Sequence, residues 1–101
     1  MSEYKISWRP EALQDVSEHI LFLLNVNTQA AIDLKKQLFD GVNSLKEFPE
    51  RSPILEMPNN SPLEIRKKVI NKRYLVLYAI QNKEVEIYRV LDSRKKFEYL
   101  I

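Results

Sequence analysis

The sequence predicts an α+β fold in which a two-helix hairpin packs on a twisted antiparallel sheet of about four strands, with an N-terminal strand and a short C-terminal helical tail. Three observations lead there. Apolar side chains alternate at period two near the start, recur at three- and four-residue spacing through the middle, and return to period two in the last third. The breaks between these stretches are short and polar, except for one proline-rich connector. The chain has 101 residues, 45% of them apolar, and no cysteine. That size is expected to give a single domain over 1–101 whose core holds without disulfides or a thiolate-bound metal.

Tyr4, Ile6 and Trp8 alternate with polar neighbours and read as one face of a first strand. Pro10 suits the first turn of a helix, where its missing N–H is not needed. Arg9 before it is a poor cap. Leu13, Val16, Ile20, Leu23 and Leu24 then mark the buried stripe of a first helix over about Pro10 to Leu24. After the break Asn25-Val26-Asn27-Thr28, with Thr28 as the expected cap, Ala31, Leu34, Leu38, Val42, Leu45 and Phe48 extend a second stripe as far as Pro49. Two helices joined by so short a break are expected to lie antiparallel. Gly41, the only glycine, falls inside the second helix and is explained by close packing.

Residues Pro49 to Pro62 hold four prolines and form a connector. Three strand-like runs follow, Leu63 to Ile70, Tyr74 to Ile80 and Val85 to Leu91, with hairpin-length separators between them. Asp92 to Ile101 suits one or two helical turns, with Phe97 and Leu100 facing inward.

Several kinds of chemistry are absent from the pattern. The longest apolar run is the five residues Ile20 to Leu24, far short of the roughly twenty that cross a bilayer, so no membrane association is expected. Without a secretory signal pattern the expected location is the cytoplasm. His19, the only histidine, follows Asp15 by four residues and reads as its half-buried or solvated neighbour. There is no paired-histidine metal motif and no glycine-rich phosphate loop, so no metal and no cofactor are expected.

Charge is the feature with content. The net charge is +2, but residues 1–62 carry 6 basic and 9 acidic side chains, whereas 63–101 carry 10 basic and 5 acidic. Such segregation fits either a polyanionic or acidic partner or a solvated face. The basic constellation within 63–101 is Arg66, Lys67 and Lys68 on the second strand, Lys72 and Arg73 in the turn, Arg89 on the fourth strand, and Arg94, Lys95 and Lys96 after it. Arg66 and Lys68 share a strand face about 7 Å apart, a spacing suited to successive phosphates or carboxylates, while Lys67 points the other way. Tyr74, Tyr78 and Tyr88 read as packing aromatics, and Tyr99 is open to packing, stacking or proton donation. As a ribonuclease the chain has a cationic clamp in Arg66, Lys68 and Arg94 but no evident base or acid, since Tyr and Lys ionise near 10.

The opening Tyr-Lys-Ile-Ser-Trp, Pro-Glu-Ala-x-x-Asp at 10–15, Leu45-x-x-Phe48-Pro49, Tyr74-Leu-Val-Leu-Tyr78 and Arg89-Val-Leu-Asp-Ser-Arg94 occur in an order that resembles the RelE/ParE superfamily of bacterial toxins from type II toxin–antitoxin systems. The resemblance spans nearly the whole chain. It implies a microbial-RNase-like fold, a cognate antitoxin that wraps the toxin, and operator DNA reached only through that antitoxin. RelE-like members cleave ribosome-bound mRNA. They use basic residues on the second strand, an Arg after the aromatic that opens the third, an Arg after the last strand and a C-terminal Tyr. Arg66, Lys68, Arg94 and Tyr99 match or approach that set, but Leu75 stands at the third-strand position. ParE-like members poison DNA gyrase, are not nucleases, and tend to have a long helical hairpin and a basic ending, as here. On that implication Arg66, Lys68, Lys72, Arg73, Arg89, Arg94, Lys95 and Lys96 form a binding surface for nucleic acid, gyrase or antitoxin. The ParE-like reading is preferred, with an mRNA endonuclease or an inactive antitoxin-binding co-repressor as alternatives.

Overall fold

In a computed structural model that describes residues 3–55 and 63–94, the element order is β1 (Lys5–Trp8), α1 (Pro10–Leu24), α2 (Thr28–Asn43), β2 (Arg66–Ile70), β3 (Tyr74–Gln81) and β4 (Glu84–Asp92). The sheet order is β1-β4-β3-β2. β2, β3 and β4 form the expected antiparallel meander, and β1 adds to β4 in parallel, making the sheet mixed. The expected C-terminal helical tail lies outside the described residues.

One face of the sheet carries Ile70, Tyr74, Val76, Tyr78, Val85, Ile87 and Val90, packed against Ala12 and Val16 of α1 and Leu34, Leu38 and Val42 of α2. Tyr4, Ile6 and Trp8 pack at its margin, as their alternation predicts. The other face gathers Ile65, Leu75, Leu77, Ala79 and Leu91 into a second cluster, joined by Leu55, Leu63 and Tyr88. Period-two alternation on β3 thus serves two cores, so six consecutive residues from Tyr74 to Ala79 are buried.

Four local expectations change. The cap of α2 is Asn27, whose side-chain oxygen accepts from the Ala30 N–H at 3.0 Å, and Thr28 is the first helical residue. α2 ends at Asn43 after 16 residues instead of running to Phe48. The Ser44 hydroxyl donates to the Gly41 carbonyl at 2.6 Å, and Ser44–Lys46 tighten into a 3₁₀ turn that still points Leu45 into the core. Phe48 is left-handed (φ 53°) and 69% exposed, so the apolar stripe of α2 does not extend to it. In α1 the buried side is Ala12, Asp15 and Val16 with Ile20 and Leu23 half-buried, whereas Leu13 and Leu24 are exposed. Lastly, β2 begins at Arg66, later than the predicted run, although Ile54 bridges to Arg66 on its outer side.

Gly41 does answer to close packing. A Cβ there would lie 2.6 Å from Ile70 Cδ1, so a side chain at this position would force the end of the Ile70 side chain to shift.

Candidate functional site

The sequence places β3 between two hairpins, so its start lies beside the end of β4, with Tyr74 opposite Asp92. The Ser93 N–H donates to the Arg73 carbonyl at 2.6 Å and joins the two turns at this end of the sheet. α1 crosses here, and a cleft of about 550 Å³ opens between them. Its walls bring Arg73, Arg89 and Arg94 together with Asp15, His19, Tyr74 and Asp92, and Phe22 forms an apolar rim.

β1 runs beside β4 only as far as Ile87. Beyond it, two side chains one helical turn apart on α1 replace the missing strand. Asp15 Oδ2 accepts the Val90 N–H at 2.9 Å, and His19 Nε2 lies 2.8 Å from the Val90 carbonyl. A carbonyl only accepts, so Nε2 carries the proton. Asp15 also receives Arg89 in a fork, Nε at 2.7 Å and Nη2 at 2.9 Å, with Asp15 largely buried. Hence Arg89 is locked to α1, and its guanidinium holds helix against strand. His19 is half-buried, as the sequence suggests, but its hydrogen bond goes to Val90 while its ring lies 5.0 Å from that of Tyr74.

Arg94 repeats the arrangement at the cleft mouth, with Nε 3.1 Å and Nη2 2.8 Å from the two oxygens of Asp92. Asp92 also accepts the Arg94 N–H at 2.9 Å. These bonds from Arg94, led by the side-chain pair, hold the Asp92 carboxyl down to about 2 against the opposing effect of burial, and the same pair raises the Arg94 guanidinium. Arg94 remains 60% exposed. It is therefore a cation oriented by a buried carboxylate yet accessible from outside.

The second-strand cations lie elsewhere. Arg66 pairs with Tyr78 and Lys68 with Val76, which puts both on one face as predicted, and that face is the helix side of the sheet. Lys67 faces the second cluster opposite Leu77. Arg66 Nη1 donates to the carbonyls of Glu50 and Ser52 at 3.0 and 2.8 Å, and beside it the Tyr78 hydroxyl donates to the Pro49 carbonyl at 2.6 Å. Burial pushes the Tyr78 hydroxyl up from its ordinary value. Arg66 lines a separate cleft with Glu50 and Glu64, four residues along β3, or about 13 Å, from the Tyr74 end. Thus the cleft at the Tyr74 end gathers Arg73, Arg89 and Arg94 but not Arg66. Lys72 is exposed on the adjoining turn. Tyr99, Lys95 and Lys96 lie outside the described residues.

Sequence reasoning missed the two positioning carboxylates, Asp15 and Asp92. A signal for Asp15 exists, since a charged residue at helical spacing with Ala12, Val16 and His19 is on the buried side and needs a partner. Among the described residues no cluster of three metal-ligating side chains occurs, and no helix is long and apolar enough to cross a membrane.

Solved structures share this arrangement of a strand, a helical hairpin and a three-stranded meander. A chain of the chromosomal ParDE toxin–antitoxin system from P. aeruginosa is similar with a TM-score of 0.72 and 14% identity, over 89% of this chain and 96% of that one. A chain of the RelBE2 toxin–antitoxin complex from Mycobacterium tuberculosis is similar with a TM-score of 0.60 and 15% identity, over 94% and 97%. No curated protein matches the sequence. The family model of the ParE toxin of type II toxin–antitoxin systems, parDE, matches residues 6–97, and the chain belongs to that family.

Proposed function

We propose that this toxin arrests bacterial growth by poisoning DNA gyrase in the cytoplasm and is neutralised by a cognate antitoxin, through which alone it reaches operator DNA. The observation that carries the reading is Leu75. Where RelE-like nucleases place an arginine, this chain has a leucine that is 8% exposed within the second apolar cluster. The position is therefore part of a core and has no access to substrate. Arg66 supports the same reading, because its guanidinium is engaged by two backbone carbonyls that tie β2 to the segment around Pro49. Arg73, Arg89 and Arg94, with Lys72 on the adjoining turn, form the contact surface for gyrase or for an acidic stretch of antitoxin, and Arg66 lies apart from it on a separate cleft.

The test is brief induction without antitoxin, with growth recorded and new mRNA 5′ ends mapped, followed by a supercoiling assay with purified gyrase. Arrest without new ends, together with lost supercoiling, is the expected outcome. Ends at a fixed position within translated codons, abolished by Arg66→Ala and Arg94→Ala, would make the chain an endoribonuclease acting through Arg66, Lys68, Arg94 and Tyr99. Absence of arrest would make it an antitoxin-binding co-repressor.

A further inference from the structure

α1 is apolar on two sides. One side, Ala12, Val16, Ile20 and Leu23, packs into the core over the sheet. The other is a stripe of Pro10, Leu13, Ser17, Leu21 and Leu24, which at 3.6 residues per turn fall within about 80° of arc. All five are exposed, and the leucines in turn keep 44%, 60% and 44% of their surface in water. Exposed leucines scattered singly are ordinary, but a row of them at the three- and four-residue steps of a helix–helix seam is not. No charged residue stands on the stripe. Asp15 and Glu18 line the cleft, and Glu11 lies beside Arg9 at 3.7 Å. A seam free of charge is what the centre of an interface requires.

The order of the stripe points to what covers it. Its steps are three, four, four and three residues, so it reads the same in both directions about Ser17. Laid antiparallel on an identical helix with the two Ser17 side chains together, Leu13 of each copy faces Leu21 of the other, and Pro10 faces Leu24. Every contact then occurs twice, which is the condition for a two-fold interface. Ser17, the smallest side chain of the stripe, stands at the axis, where it lets the helices approach closely. A partner helix of different sequence needs no such symmetry. We infer that the stripe is the interface of a homodimer, in which the α1 helices of two copies pack antiparallel across a two-fold axis at Ser17. The cleft opens on a different side of α1, so the dimer and the proposed target are tested separately.

The experiment is sedimentation equilibrium of the purified full chain over a concentration series up to about 1 mM, with thermal melting as the check on folding. The mass is expected to rise from the 12.0 kDa of one chain toward twice that value. Leu13→Glu and Leu21→Lys each set a charge against a leucine of the other copy, and each is expected to hold the chain at the single-chain mass with its melting unchanged, because both sites are exposed. Mixed in equal amounts, the two variants are expected to associate with each other. The new carboxylate of one then faces the new ammonium of the other, and the two leucines that remain face each other. A wild-type chain that stays at the single-chain mass throughout overturns the dimer. If that monomer binds its cognate antitoxin and both variants lose the binding, the stripe belongs to the antitoxin instead. Association that neither substitution weakens overturns the choice of face, and a mixture that stays monomeric overturns the antiparallel register.

Discussion

Arg66 and Arg89 sit on strands of the same sheet, and both are half-buried, but they are held in opposite ways. Arg89 meets a carboxylate from a helix, so charge is neutralised where it is desolvated. Arg66 meets two backbone carbonyls, which orient it without cancelling its charge. Around Arg89 the structure depends on an ion pair that also completes the hydrogen bonding of β4. Around Arg66 it depends on satisfying carbonyls in a turn-rich segment. The difference teaches that basic residues in one stretch of chain are not one kind of site: at the Tyr74 end they are organised by Asp15 and Asp92, at the Tyr78 end by backbone.

The largest effect should come from breaking the helix-side pair. Asp15→Ala leaves Arg89 and the Val90 N–H without their acceptor, and a loss of about 3 kcal/mol is expected by urea denaturation. A loss under 1 kcal/mol would mean that water replaces the carboxylate and that Asp15 is not what docks α1. Next in size, Arg66→Met removes two charged hydrogen bonds and should cost about 2 kcal/mol, while growth arrest persists at matched protein levels. Arrest that disappears in a protein still folded would move Arg66 from scaffold to contact surface.

The Asp92–Arg94 pair sharpens the comparison through pH. Its carboxyl is held at about 2 in the folded state against an ordinary value of 3.8. Because the folded value is the lower one, the stabilisation is fully present above about pH 4 and is lost as pH falls toward 2. Discounted for the exposure of Arg94, it amounts to about 1 kcal/mol, and the difference in stability between wild type and Asp92→Asn should shrink over that acid window. The smallest effect is where α2 packs on β2. Gly41→Ala gains helix propensity but crowds Ile70 Cδ1, for a net loss of about 0.5 kcal/mol. Ile70→Val, which removes the crowding atom, should make the alanine stabilising in that background.

Much of the fold is legible from spacing. The boundaries of α1, the three meander strands, the shared face of Arg66 and Lys68, and the packing roles of Tyr74 and Tyr78 follow from periodicity, which reports local geometry directly. The early end of α2 is not legible, because a 3₁₀ turn and an α-helix both bring Leu45 to the side of Val42. The parallel placement of β1 is equally hidden, since a strand's pattern says which face is buried and not which neighbour it has. In the candidate site, the basic residues are visible as charge, but Asp15 joins Arg89 across 74 positions of sequence, and no local rule reports that.

By itself the sequence determined the class of fold, the two helices, the meander, the concentration of positive charge in the last third and the likeness to a toxin family, because each depends on residue type and local spacing. Only the tertiary structure decided which cations gather at one cleft, which carboxylates hold them, and that Leu75 is enclosed by a second core. Those outcomes depend on register and on the docking of α1 over the open stretch of β4, where contacts between residues far apart in the chain, such as Asp15 and Arg89, position the charged groups.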